Sequence, residues 1–153
     1  MSTYSVGGRT LATAATANHV GAQFWNPSTT KGVWVTAVSW FQTAGTVSNP
    51  AIARSSARGA TPTATVTPTV DSNWDRGVTP PSASVLELAT FGTQPTITGV
   101  PLFKSNLPAA IGSGFILPFT GRGIFVPSAT GLVVFTPVAV ILQPADVTYF
   151  WEE

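Results

Sequence analysis

Charge is scarce in this chain. Only 8% of its 153 residues are Asp, Glu, Lys or Arg, against about 25% in an ordinary soluble domain. Cysteine is absent, which excludes disulfides and thiolate metal sites and fits folding in a reducing cytoplasm. There is one histidine, His19, so a Ser-His-Asp triad would have to use that residue. No apolar run approaches the roughly 20 residues of a membrane-spanning helix; the longest, Val138–Leu142, is strand-sized and flanked by prolines. The N-terminal Leu11–Ala17 stretch is too polar for the apolar core of a signal peptide. The formal net charge is +1, and Lys31, Arg54, Arg58, Lys104 and Arg122 are scattered, so there is no electrostatic footprint for nucleic acid.

What replaces charge is Thr, Ser, Asn and Gln, which bond to water but add little repulsion between copies. A free monomer relies on such repulsion to stay dispersed. Its scarcity predicts a subunit that works inside an assembly, with a secreted low-charge domain as the plainer alternative.

The chain reads as one domain at 23–153 preceded by an Ala/Thr/Gly-rich segment at 1–22. That segment has few large apolar groups and is expected to be an extended arm or a first edge strand. Gln23 to Asn26 ends a short strand in an Asn-Pro turn. Val33 to Phe41 is rich in Val, Trp and Thr, which suit a pleated surface. Alternation puts Val33, Val35, Ala37 and Phe41 on one face and Trp34, Thr36, Val38 and Trp40 on the other, predicting a central strand covered on both sides. Thr61, Thr63, Thr65, Thr67 and Thr69 recur at period two among prolines, which points to an edge. Ser84–Phe91 and Thr96–Phe103 are further strands.

The C-terminal third repeats a short unit. Gly114–Pro118, Gly123–Pro127 and Gly131–Pro137 each open on Gly and close on Pro around an apolar run. Glycine suits the turn and proline ends ladder pairing. Val138–Gln143 and Val147–Trp151 complete the set. With thirteen prolines and fourteen glycines, helices find no room. About eight to ten short strands predict an all-β antiparallel sandwich, jelly-roll-like, although an immunoglobulin-like sandwich or a distorted barrel has similar strand counts.

Catalytic chemistry is thinly provisioned. The acids are Asp71, Asp75, Glu87, Asp146, Glu152 and Glu153. Two end the chain and two share one loop, poor scaffolding for a hydrolytic carboxylate pair. His19 reads as an ordinary polar residue, and no Gly-x-Ser-x-Gly elbow occurs. We expect no enzyme, no cofactor and no metal. One loop carries a sharper possibility. Asp71, Asn73, Trp74, Asp75 and Arg76 place oxygen ligands at alternate positions around an indole. A sugar could stack on Trp74. A calcium loop would need Glu where Ser82 stands and its glycine one place earlier than Gly77. The plain reading is an Asx-rich turn whose tryptophan packs on the sandwich or on a neighbour. Of the five tryptophans, Trp25 and Trp151 lie with Tyr149 near strand ends, where aromatics either anchor subunit contacts or plug the sandwich.

Taken together, several segments resemble the small β-sandwich structural proteins of tailed-bacteriophage virions, especially capsid decoration (cement) proteins. They are Trp25-Asn26-Pro27 before Lys31, the Val33–Phe41 strand, the Thr/Pro-rich middle, Gly123–Pro127 with Gly131–Val134, and the tail Tyr149–Glu153. The likeness spans about 22–153 and lies in the style and order of segments. It implies a jelly-roll-like subunit, often trimeric, on the capsid exterior, made in the host cytoplasm and clamping the major capsid protein. It carries no catalytic residues. A tail or fibre module that binds a host glycan through the Trp74 loop is the alternative, and a secreted lectin or carbohydrate-active domain a third. Neither nucleic acid nor a membrane is expected as a partner.

Overall fold

In the computed structural model, residues 2–69 and 82–153 are described, and they contain eleven strands and no helix. In chain order these are β1 (Thr3–Arg9), β2 (His19–Asn26), β3 (Val33–Gln42), β4 (Ala51–Ala57), β5 (Ala64–Val66), β6 (Val85–Leu88), β7 (Thr96–Lys104), β8 (Gly114–Pro118), β9 (Ile124–Val126), β10 (Thr130–Thr136) and β11 (Ala145–Glu152). The three Gly-to-Pro units are β8, β9 and β10. The count exceeds the expected eight to ten because β5 and β9 are three-residue pieces.

The strands form two antiparallel sheets. The first has the order β1-β11-β3-β8, with β9 continuing the β8 side of β3; the second has the order β5-β6-β2-β10-β4-β7. The pairings are nested: β1 with β11, β2 with β10, β3 with β8 and β9, and β4 with β7. The N-terminal half therefore pairs outward-in with the C-terminal half, and the chain changes sheet at each step from β1 to β4 and from β7 to β11 except between β8 and β9, which both pair with β3. That is a jelly roll, with β5 and β6 inserted between β4 and β7 and added beside β2. Segment 1–22 is not spread over the surface. Its β1 is an edge strand of the first sheet, with Tyr4 and Val6 buried, and it ends inside β2.

The interior is built on stacked aromatics. Tyr4 stacks on Trp151 at 5.5 Å, and Phe24 lies 5.1 Å from Trp151 and 5.4 Å from Tyr149. Trp40, Ile52, Leu86, Leu132 and Leu142 fill the remainder with no exposure. Aromatic pairs at such spacings add a little beyond the area they bury.

Strand β3 is central, as expected, but its faces are not those of strict alternation. Phe150 pairs with Ala37 while the next residue, Trp151, pairs with Val35. Thr36 is thus an extra residue, a bulge that flips the phase. Val33 and Val35 point inward before it, and Val38 and Trp40 point inward after it. Trp34 and Trp40, expected on one face, lie on opposite faces, and on the outer face of β3 Phe41 is exposed while Trp34 and Ala37 are half-buried and Ser39 is buried. On the other side of β3, the 119–123 excursion between β8 and β9 sits at the same place, where the Phe119 N–H donates to the Thr36 carbonyl. Gly123 there has φ +97°, and a Cβ would collide with the Val35 carbonyl oxygen.

Residues 138–143, expected as a strand, are instead a loop. Pro137 and Pro144 bracket it, and only Leu142 reaches the core. Its polar backbone groups are met locally and by Thr13, whose hydroxyl accepts from the Leu142 N–H while its own N–H donates to the Leu142 carbonyl.

The second sheet has a small core on its outer face as well. Val20, Ala51, Ala53, Val133 and Phe135 alternate with the inward residues and are covered by Phe91. Phe91 lies on the segment from β6 to β7, which folds back because Ala89 takes a left-handed turn (φ +49°). Gly59 leaves room for the Phe91 ring, which any Cβ there would strike. The Gln94 side chain accepts from the Val20 N–H and pins the flap.

Candidate functional site

The sandwich treats its two outer faces differently. The second sheet is covered by its own chain, as above. The first is not. After the bulge is accounted for, the rows across β1-β11-β3-β8 read Ser5–Phe150–Ala37–Pro118, then Gly7–Thr148–Ser39–Ile116, then Arg9–Asp146–Phe41–Gly114. At the far side of the bulge, Thr3–Glu152–Trp34–Phe125 forms a fourth row. Small residues lie along the middle of this face, and Ile116 (64% exposed), Phe125 and Phe41 stand at its β8–β9 side. Trp34 packs against Phe125 at 5.0 Å, with the Arg122 guanidinium 5.2 Å above its ring.

Charge on this face is largely neutralised. Arg9 makes a two-pronged contact with Asp146, Nε to Oδ1 at 2.7 Å and Nη2 to Oδ2 at 2.9 Å. The hydrogen bond from Arg9 holds the Asp146 carboxyl below the usual carboxylate range, and the partnership raises Arg9 in turn. The face mixes the exposed Phe41, Ile116 and Phe125 with Ser5, Ser39, Thr148 and the paired Arg9 and Asp146. Such a face can bury area against a flat partner; it cannot enclose a small molecule.

The residues singled out from sequence fall in three places. Asp71, Asn73, Trp74, Asp75 and Arg76 lie outside the described residues. Ser82, which follows that loop, is nearly fully buried: its hydroxyl accepts from the Trp151 indole at 3.2 Å and from the Ser84 N–H, and donates to Glu153. Its oxygen is therefore committed to tying down the C-terminal strand. Tyr149 and Trp151 are fully buried between the sheets, and Trp25 is 7% exposed, lying over Gly131 on the outer face of the second sheet. These three aromatics spend their area on their own chain. Burial pushes the Tyr149 phenol above its ordinary value, so it is a neutral packing group that donates weakly to the Leu132 carbonyl at 3.4 Å. On the outer face of the first sheet the large apolar groups that reach the surface are Phe41, Ile116 and Phe125. Period-two counting could not find them, because the bulge decides which residues of β3 face out.

Among the described residues, no three His, Cys, Asp or Glu side chains cluster as a metal site. Glu87 is buried on the outer face of the second sheet and is held by Arg58 at 2.7–2.8 Å. Beside it Gln23, also buried, donates to Ser55 and the Ala57 carbonyl and accepts from the Gly59 N–H. This polar patch ties β2 to β4 and the chain beyond it. A depression of about 420 Å³ is lined by Asn18, Ile97, Gly99, Pro101, Lys104 and Phe135, with Pro137 at its margin. Only Asn18 and Lys104 bring polar side chains to it.

No protein-family model, curated protein or solved structure matches the chain significantly.

Proposed function

We propose that this chain is a non-catalytic structural subunit of a tailed-phage virion, a capsid decoration protein that binds the outside of the assembled shell and stabilises it. The observation that carries the reading is the set of exposed apolar side chains, Phe41, Ile116 and Phe125, on the outer face of the first sheet. A jelly roll that covers one face with its own Phe91 flap and exposes Phe41, Ile116 and Phe125 on the other is suited to lie against another protein surface. The segment-by-segment likeness to decoration proteins supplies the virion, the major capsid protein as partner and the homotrimer.

The physics suits the task. A cement subunit must hold seams that are pulled apart from within. Contact area from Ile116, Phe125, Phe41 and Trp34 serves this better than exposed ion pairs, which contribute little each. The test is co-sedimentation of purified protein with assembled shells of the phage that encodes it. Wild type should pellet with shells and raise their resistance to heat. Ile116→Glu should abolish pelleting with an unchanged circular dichroism spectrum. Wild-type protein that stays in the supernatant, or an Ile116→Glu protein that pellets equally, refutes the reading.

A further inference from the structure

The four connections β1–β2, β3–β4, β7–β8 and β10–β11 gather at one end of the sandwich, since Arg9 pairs with Asp146, Gln42 with Ala145 and Phe41 with Gly114. They are stitched into one surface. Thr13 and Leu142 exchange backbone and hydroxyl bonds, the Thr43 N–H donates to the Pro144 carbonyl, and the Gln42 amide donates to the Pro108 and Ala110 carbonyls. Ser48 bridges to Leu107, and its hydroxyl accepts from the Gln143 N–H.

Two properties of this surface stand together. None of the residues in 10–18, 43–50, 105–113 and 137–144 is charged, and none is aromatic. Yet Leu11, Val47, Ile111, Val138, Val140 and Ile141 all stand exposed there, Ile111 at 76%. These are more than half of the large apolar side chains exposed among the described residues. The nearest charges stand at the rim: Arg9 and Asp146, which neutralise each other, and Lys104 closing β7.

We infer that this loop end is where copies of the chain meet one another. Partners of unlike sequence are selected and oriented by complementary charge, and this surface offers none. A surface that meets its own copy has the opposite requirement, that no like charges be brought together, and these four loops meet it completely. A lipid surface would call for Trp, Tyr, Lys or Arg at the contact, and the loops contain none of them. Side chains this apolar, held on loops already hydrogen-bonded to each other, lose little conformational freedom on docking. The inference deepens the assembly reading by separating its two contacts: the loop end for self-association, the outer face of the first sheet for the shell.

The test uses purified full-length protein and no shells, so its outcome is independent of capsid binding. Sedimentation velocity should show a wild-type oligomer. Ile111→Asp should weaken self-association at least about tenfold, the scale of burying an ionised carboxylate at an apolar contact. Val100→Asp on β7, at a site 81% exposed, should leave the oligomer intact. Because the chain has no cysteine, Ile111→Cys gives a second readout that needs no destabilising charge. A short bis-maleimide should link it into dimers, and the Val100→Cys control should stay unlinked. The inference is overturned by a monomeric wild type, by Ile111→Asp keeping the wild-type mass, or by equal cross-linking at both positions. It is equally overturned if wild type is monomeric but binds phosphatidylcholine–phosphatidylglycerol vesicles through Ile111.

Discussion

Arg58→Ala should destabilise the protein although Arg58 itself is half exposed. Its guanidinium reaches Glu87 Oε1 through Nε at 2.8 Å and Nη2 at 2.7 Å. The Glu87 side chain is 1% exposed, and its second oxygen has no hydrogen-bond partner. Removing Arg58 therefore leaves a buried carboxylate with nothing opposite. Breaking a fully buried pair costs about 3–5 kcal/mol, whereas an exposed pair is worth less than about 1 kcal/mol. The half-exposed guanidinium shows that water can approach from one side, which places the loss near 2 kcal/mol, about midway between those limits. For a chain of this size that is a fall of about 4–8 °C in Tm. Urea unfolding followed by tryptophan fluorescence should show a lower midpoint with an unchanged slope. The diagnostic is an asymmetry. Glu87→Gln leaves Arg58 free to turn into water, so it should cost less than Arg58→Ala, and the double variant should recover part of the Arg58→Ala loss. If Arg58→Ala lies within about 0.5 kcal/mol of wild type, the range of an ordinary surface change, or if Glu87→Gln is the more damaging of the two, then Glu87 does not depend on this partner and the reasoning fails.

Three further outcomes follow from the geometry. Gly123→Ala should cost about 2 kcal/mol or more in urea unfolding, because the residue combines a left-handed φ with a Cβ collision against the Val35 carbonyl; Gly121→Ala, also at positive φ but in open space, should cost less. Thr13→Val removes the hydroxyl that accepts from the buried Leu142 N–H and should cost about 1–3 kcal/mol, with faster amide exchange at Leu142. Asp146 titrates below its ordinary value when folded, so its contribution is present above the unfolded carboxylate pKa and is lost as pH falls through the lowered folded value; Asp146→Asn should lower stability slightly at neutral pH and flatten the acid limb, so that the two curves converge in acid, and a loss that grows as pH falls would contradict this.

The strands were legible in the sequence wherever composition and punctuation agreed. The Gly-to-Pro units became β8, β9 and β10, and the Thr/Pro ladder became the edge strand β5, because turn and breaker residues act locally. The stretch 138–143 has the same apolar composition but forms a loop. Prolines hold both its ends, and Thr13, more than a hundred residues earlier, supplies its hydrogen bonds. The bulge at Thr36 is invisible for a similar reason: it is set by the pairing of β3 with β11 and by the 119–123 excursion, and it alone decides that Trp40 is core and Trp34 surface. Tyr149 and Trp151 read as strand-end aromatics suited to an interface. Their place against Tyr4 and Phe24 comes from β1 pairing with β11, a contact across nearly the whole chain. Charge scarcity was plain from the start, but not where it concentrates, because the four uncharged loops are neighbours only in the fold.

That distribution changes what the low charge means. Part of the apolar excess fills two cores, one between the sheets and one beneath the Phe91 flap. The flap exists because the connection from β4 to β7 is long enough to add β5 and β6 and still fold back over the second sheet. The remaining charges are also segregated. Lys31 and Arg122 belong to loops at the end opposite the four uncharged ones, with Glu152 and Glu153 beside the start of β1. Arg54 and Arg58 lie on or just beyond β4, and Arg54 crosses the sandwich to the Phe125 carbonyl. A chain with so few charges could have scattered them evenly. Among the described residues, the loops of one end have none, and it is the end with the most exposed aliphatic side chains. Uniformly low charge would describe a poorly soluble monomer; charge withheld from one apolar end describes a contact surface.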